Sequence, residues 1–288
     1  MAEVQTPIIE KFIEDSNIAD ICSPVEDPQG QLYLVDHSGD ILKVIEGQTQ
    51  VWFSIGGQPS CLVFDANGAA FLGDKAHQAI LSPNEVEGRV EATPVVKDYE
   101  GRPLLGPNSM VLSEQNNYLY FTDSGPLGES SLSNPCGSVF SADLDLMILK
   151  PLAYRSMAHP SGIAISNDGK VIFVAETLQN RIIRFAQSPS GVHHASVFAE
   201  FTARLGPTCL AMSPNNFLYV ARFDFEDYAK VGLITILNMN GEKESEIIIP
   251  SAPEISGMSF SRKQANILWV TEVTTASCYR ITLPSEFI

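Results

Sequence analysis

A strand–turn–strand segment that recurs six times is the strongest constraint on how this chain folds. The copies are ICSPVEDPQGQLYLVD (21–36), PSCLVFDANGAAFLGD (59–74), PNSMVLSEQNNYLYFTD (107–123), HPSGIAISNDGKVIFVAE (159–176), PTCLAMSPNNFLYVAR (207–222) and ISGMSFSRKQANILWVTE (255–272). Alternating and β-branched apolar residues mark the strands, and DPQG, DANG, SNDG and SPNN mark hairpin turns. Prolines 59, 107, 160 and 207 open four of the copies. The interval after each hairpin holds two more strands, such as NRIIRFAQ and ASVFAEF in the fourth copy. Four strands in ~45–50 residues is the spacing of a propeller blade. The expected fold is therefore all-β: a six-bladed β-propeller of four-stranded antiparallel blades. It forms one domain over 1–288, with blades starting near 21, 59, 107, 160, 207 and 255.

The sixth copy runs out one strand early, because only SEFI follows SCYRITLP. An unpaired blade edge invites aggregation. The segment at about 7–15, PIIEKFIED, alternates apolar and polar residues. It is expected to close the ring as a strand on the last blade, with an isolated helix as the alternative on local pattern alone.

The net charge of −16, from 34 acidic and 18 basic residues, repels phosphate backbones, and no Lys/Arg cluster offsets it. Nucleic acid is excluded as a partner. No apolar run reaches the length of a membrane helix, so no membrane span is expected. Cys22, Cys61, Cys136, Cys209 and Cys278 are scattered singly, with no CxxC pair. With no secretory signal at the N-terminus, this points to an intracellular, cytoplasmic location.

Aligned copies yield two sets of equivalent positions. Cys22, Ser60, Asn108, Ser161, Thr208 and Ser256 lie just inside the first strand, where a propeller opens its central channel. All six are small and polar; they either form the floor of a ligand pocket or cap backbone groups where strands converge. Asp36, Asp74, Asp123, Glu176, Arg222 and Glu272 end the second strand and form a rim on the same face. The shared acidity of five of them predicts one shared task, accepting hydrogen bonds from loop N–H groups. Arg222, the exception, would pair with a carboxylate or face a ligand.

GPNSMVLSEQNNYLYFTDSG, HPSGIAISNDGKVIFVAET and PQGQLYLVDHSGDILKV resemble the senescence-marker-protein (regucalcin)/gluconolactonase family. More distantly, they are similar to strictosidine-synthase-like and paraoxonase-like propellers. The resemblance spans the whole chain and implies a divalent metal at the channel mouth, with ligands on the first ring. Its pattern has a glutamate where this chain has Cys22, an asparagine at Ser161 and an aspartate at Thr208. Only Asn108, in PNS, matches. A hard cation such as Ca²⁺, Mg²⁺ or Mn²⁺ wants carboxylate oxygens, and Zn²⁺ would find Cys22 but no ring histidine. Thr208 cannot act as a base at neutral pH.

The expected function is a propeller of this family that has lost most of the metal ligands. It would bind a small molecule at the channel mouth, or a protein through loops 123–137 and 222–232. The alternative is a metal-dependent lactone or ester hydrolase with a site rebuilt from Asn108 and rim carboxylates such as Asp123 or Glu176. A Cys22 nucleophile with His37 or His159 as base is a third arrangement, against exposed loop histidines. His193 and His194 are expected on the solvent side.

Overall fold

Asn and Gly at the hairpin turns are where the repeat becomes geometry. In the computed structural model, which describes residues 6–14, 18, 20–86, 89–113, 115 and 117–288, Gly30, Gly68 and Gly169 hold φ of +89°, +90° and +71°. Asn117 and Asn216 adopt the same left-handed region at +53° and +61°. Only Gly enters it without strain, and Asn enters more readily than other side chains. Asp27 and Asp65 brace their turns: each carboxylate accepts two backbone N–H bonds of 2.7–2.9 Å from the residues that follow.

The strands assemble into six four-stranded antiparallel sheets arranged as a closed ring. The inner strands are Ile21–Glu26, Pro59–Phe64, Pro107–Ser113, Pro160–Ile165, Gly206–Met212 and Ile255–Phe260. The second strands are Leu32–Asp36, Ala70–Asp74, Tyr118–Asp123, Val171–Glu176, Leu218–Phe223 and Ile267–Glu272. In the sixth blade the order is Ile255–Phe260, Ile267–Glu272, Ser277–Thr282 and then Ile8–Glu14, so the N-terminal segment is the outer strand. Ile8 pairs with Thr282 and Glu14 with Ser277. The strand alternative therefore holds over the helix; Asp15, the end of the expected segment, lies outside the described residues.

Period-two alternation explains where the core sits. Leu32 and Leu34 face blade six, packing on Ile267, Trp269 and Cys278. Tyr33 and Val35, one residue out of phase, face blade two and pack on Leu62, Phe64 and Leu72. The same division gives a separate apolar core at every blade interface. Each blade is thus glued on both faces, which is why the second strand Leu32–Asp36 is buried at every position. A fully buried Leu or Ile in such a layer contributes roughly 1.5–3 kcal/mol. Among the described residues, no helix is long and apolar enough to cross a membrane.

Candidate functional site at the channel mouth

The inner strands enclose a cavity of about 400 Å³. Cys22, Ser60, Asn108, Thr208 and Ser256 line it at the end where these strands begin, and Phe64, Asn167 and Arg262 lie toward the opposite end.

Most of the ring's polar side chains reach for the next blade. Cys22 Sγ donates to the Ser60 carbonyl at 3.2 Å, and Ser60 Oγ to the Pro107 carbonyl at 2.6 Å. Ser161 Oγ reaches the Thr208 carbonyl at 3.0 Å, and Thr208 Oγ1 the Ile255 carbonyl at 3.5 Å. Ser256 Oγ donates to the Ile21 carbonyl at 2.6 Å. Blade three uses a different residue: Thr122 Oγ1 donates to the Ser161 carbonyl at 2.6 Å, while Asn108 Nδ2 turns to Ser124 Oγ at 2.9 Å. The circle of blade-to-blade bonds is complete. Converging inner strands leave carbonyls that no sheet partner satisfies, and short donors fit the gap. Ser161 is 5% exposed, lies outside the cavity lining and shares a 2.6 Å contact with Thr177 Oγ1, so it does not face the channel.

The rim carboxylates accept N–H groups. Asp36 takes Ser38 N–H, Asp74 takes His77 N–H, and Asp123 takes both Leu105 and Gly106 N–H. Glu176 accepts Ala158 N–H at 2.8 Å and the Arg181 guanidinium at 2.7 Å, and Glu272 accepts Thr274 and Thr275 N–H. Arg222 donates to the Thr202 carbonyl and lies 4.8 Å from the Phe201 ring, rather than pairing with a carboxylate. Asp123 and Glu176, both buried, are thus occupied where they stand.

Cys22 shares no hydrogen bond with His37 or His159, so the Cys–His pair does not form in this structure. Burial drives the Cys22 thiol well above its ordinary range, which keeps it protonated. The histidines are not exposed loop residues either. His159 is 7% exposed, and Nδ1 of both His37 and His159 is buried without a partner. His194 is exposed and His193 half-buried. Of the two loops expected to make contacts, 123–137 exposes Leu127 and Leu132, and 222–232 exposes Tyr228.

One charged residue next to the rim escaped the sequence reading. Lys75 follows the rim residue Asp74, the position occupied by His37, Ser124, Thr177, Phe223 and Val273 in the other blades. Its charge acts on Cys22 and Cys61, on His37, and on His159 from blade four.

The whole-chain architecture recurs in solved structures. A gluconolactonase from Xanthomonas campestris superposes with a TM-score of 0.78 at 18% identity, covering 96% of this chain and 90% of that one. The calcium-binding protein regucalcin from Agrobacterium tumefaciens superposes at 0.74 with 15% identity, covering 93% and 92%. Among curated proteins, lactonase drp35 of Staphylococcus aureus is 28% identical over 240 residues, 79% of this chain and 69% of that protein. Its counterpart in Staphylococcus epidermidis is 28% identical over 234 residues, 77% and 67%. The SMP-30/gluconolactonase/LRE-like region model matches residues 23–274, and with six blades in register this chain belongs to that family of lactonase-like propellers.

Proposed function

We propose that this propeller binds a small polar molecule at the channel mouth. The observation that carries the reading is His37, which lines a cavity of about 400 Å³ and whose Nδ1 is buried without a partner, as is His159 Nδ1. Buried polar atoms without partners cost about 1–3 kcal/mol each, a cost that a ligand's hydrogen bonds would offset.

The residues present do not fit a resident divalent cation in this reading. Cys22, Ser60, Ser161, Thr208 and Ser256 spend their protons on blade carbonyls. Among the described residues, no three His, Cys, Asp or Glu side chains converge as a ligand set. Lys75, next to the rim residue Asp74, adds a positive charge that acts on Cys22.

Hydrolysis of lactones or esters is the second reading, favoured by the lactonases to which the chain is similar. Calorimetry with a panel of small neutral and charged polar molecules, lactones included, tests the first. Binding that vanishes when Thr208→Trp fills the mouth supports it, and binding unaffected by that variant sinks it. Lactone opening followed by acid release in a pH-stat, with and without added divalent cations, tests the second.

A further inference from the structure

A second cavity, of about 270 Å³, lies in the cleft between the outer strands of blades one and two. Phe53 and Ile55 line it from blade one, and Leu81, Val90 and Ala92 from blade two. Ser54, His77 and Lys97 line it as well, and the strand register gathers these three at one end. Ser54 pairs with Asp40, which itself pairs with the rim residue Asp36. His77 lies in the turn between Asp74 and its partner Ala79, and Lys97 follows Val96, the partner of Ile80. Val90, paired with Glu85, stands at the other end. The cleft is thus polar at the rim face and apolar below it. None of its lining residues lines the central channel.

His77 is held from behind. Asp74, 0% exposed, accepts His77 N–H at 2.8 Å and stands 3.0 Å from His77 Nδ1. Gly57 leaves room for this pair, because a Cβ there would collide with Asp74 Oδ2 and His77 Nδ1. The turn itself needs no imidazole: the positions three residues after the rim in the other blades are Gly39, Pro126, Gln179, Phe225 and Thr275. With Nδ1 spent on Asp74, Nε2 is the nitrogen left for a ligand, and a charged imidazole donates through it to an anion. Lys97 is exposed and, among the described residues, forms no ion pair. Ser54 gives its proton to Asp40.

We infer that this cleft binds a small monocarboxylate with an apolar tail, its head between His77 and Lys97 and its tail along Phe53, Leu81 and Ala92. Two cationic donors at one end match the two oxygens of a carboxylate. The apolar walls below them gain only if the ligand carries hydrocarbon to cover them. A dianion fits worse, since Asp40 borders the polar end through Ser54 and the chain carries a net charge of −16.

Isothermal titration of the intact chain with hexanoate, hexanamide and acetate tests this. Hexanoate should bind at least about tenfold more tightly than hexanamide, which lacks the charge, and than acetate, which lacks most of the tail. Lys97→Met and His77→Gln should each weaken hexanoate several-fold or more. Ala92→Phe, with its fold checked by its melting curve, should abolish binding by filling the cleft, and the two head-group variants decide if it does not fold. Thr208→Trp, at the channel mouth, should leave hexanoate binding unchanged. Equal binding of hexanoate and hexanamide, indifference to both head-group variants, or no heat at the highest soluble concentration overturns the inference. Loss of hexanoate binding in Thr208→Trp also overturns it, because the acid would then sit in the channel and not in the cleft.

Discussion

Ser256 Oγ donates to the carbonyl of Ile21 at 2.6 Å across 235 residues of sequence, and that bond closes the circle in which each blade hydrogen bonds to the next. Ser256 also meets Thr271 Oγ1 at 3.0 Å, so the donor is held from behind. The closure that the outer strand Ile8–Glu14 performs at the periphery is repeated at the axis by a single hydroxyl.

Ser256→Ala should therefore lower the unfolding free energy by about 1–2 kcal/mol, the effect of leaving the Ile21 carbonyl without its donor. Urea denaturation with an unchanged slope measures it. A variant indistinguishable from wild type would mean that water replaces the hydroxyl and that the axial circle contributes no stability.

The same junction is fastened at the other end of the inner strands by Glu26. Its carboxylate, 5% exposed, accepts Trp269 Nε1–H at 2.8 Å, Ser261 O–H at 2.9 Å and Arg262 N–H at 2.9 Å. Glu26→Ala strands three donors from blade six and should cost about 3 kcal/mol or more, and Glu26→Gln, which keeps the shape, noticeably less. Denaturant midpoints of the two variants give the comparison. A loss under about 0.5 kcal/mol for Glu26→Ala, the size of an ordinary surface change, would show that the carboxylate is dispensable.

Acid should loosen the fold through His159. Burial first, and the Lys75 charge second, lower its pKa to about 4. In the unfolded chain the ordinary value is about 6.5. Between those values the unfolded state binds a proton that the folded state refuses, so stability falls as pH drops through that window. Above about pH 7 both states are neutral and His159 has no effect on the slope. The full difference is about 3 kcal/mol, with His37, also lowered by burial, acting in the same direction. Urea midpoints at about pH 7 and about pH 4.5 for wild type and His159→Gln check it. A pH response that the variant leaves intact would assign acid sensitivity to other groups.

The fold was legible because its signals are local and repeated. Turn residues such as Gly68 and Asn216 state their backbone conformation, and the alternation in LYLVD states that both faces are covered. The rim was legible for the same reason: its acceptors serve loop amides close by or across one blade. The ring positions were found by register, but their side-chain directions were not. Ser161 and Thr208 are small and polar whichever way they turn. Their partners are carbonyls 47 residues further along, brought near only when blades pack. Lys75 was hidden for the opposite reason. Its equivalents are His, Ser, Thr, Phe and Val, so no shared chemistry marks the position. Only the closed ring lets its charge act on Cys22 of blade one and on His159 of blade four.

The family resemblance raises a metal at the mouth, and one titration separates the two functional readings. A cation bound at a hundred times its dissociation constant adds about 2.7 kcal/mol to stability. For a domain of this size that is about 5 °C in melting temperature. Chelator-stripped protein should show no such rise with Ca²⁺, Mg²⁺, Mn²⁺ or Zn²⁺. Its mouth offers a protonated Cys22 and hydroxyls committed to carbonyls. Asn108 spends its Nδ2 on Ser124 and keeps a single amide oxygen, and one neutral oxygen does not offset the desolvation of a dication. A clear upward shift with one ion, abolished by Asn108→Ala, would reverse the preference for binding. It would show that a rim carboxylate such as Asp123 leaves its N–H partners to complete a metal site, and lactone opening would then be the reaction to assay first.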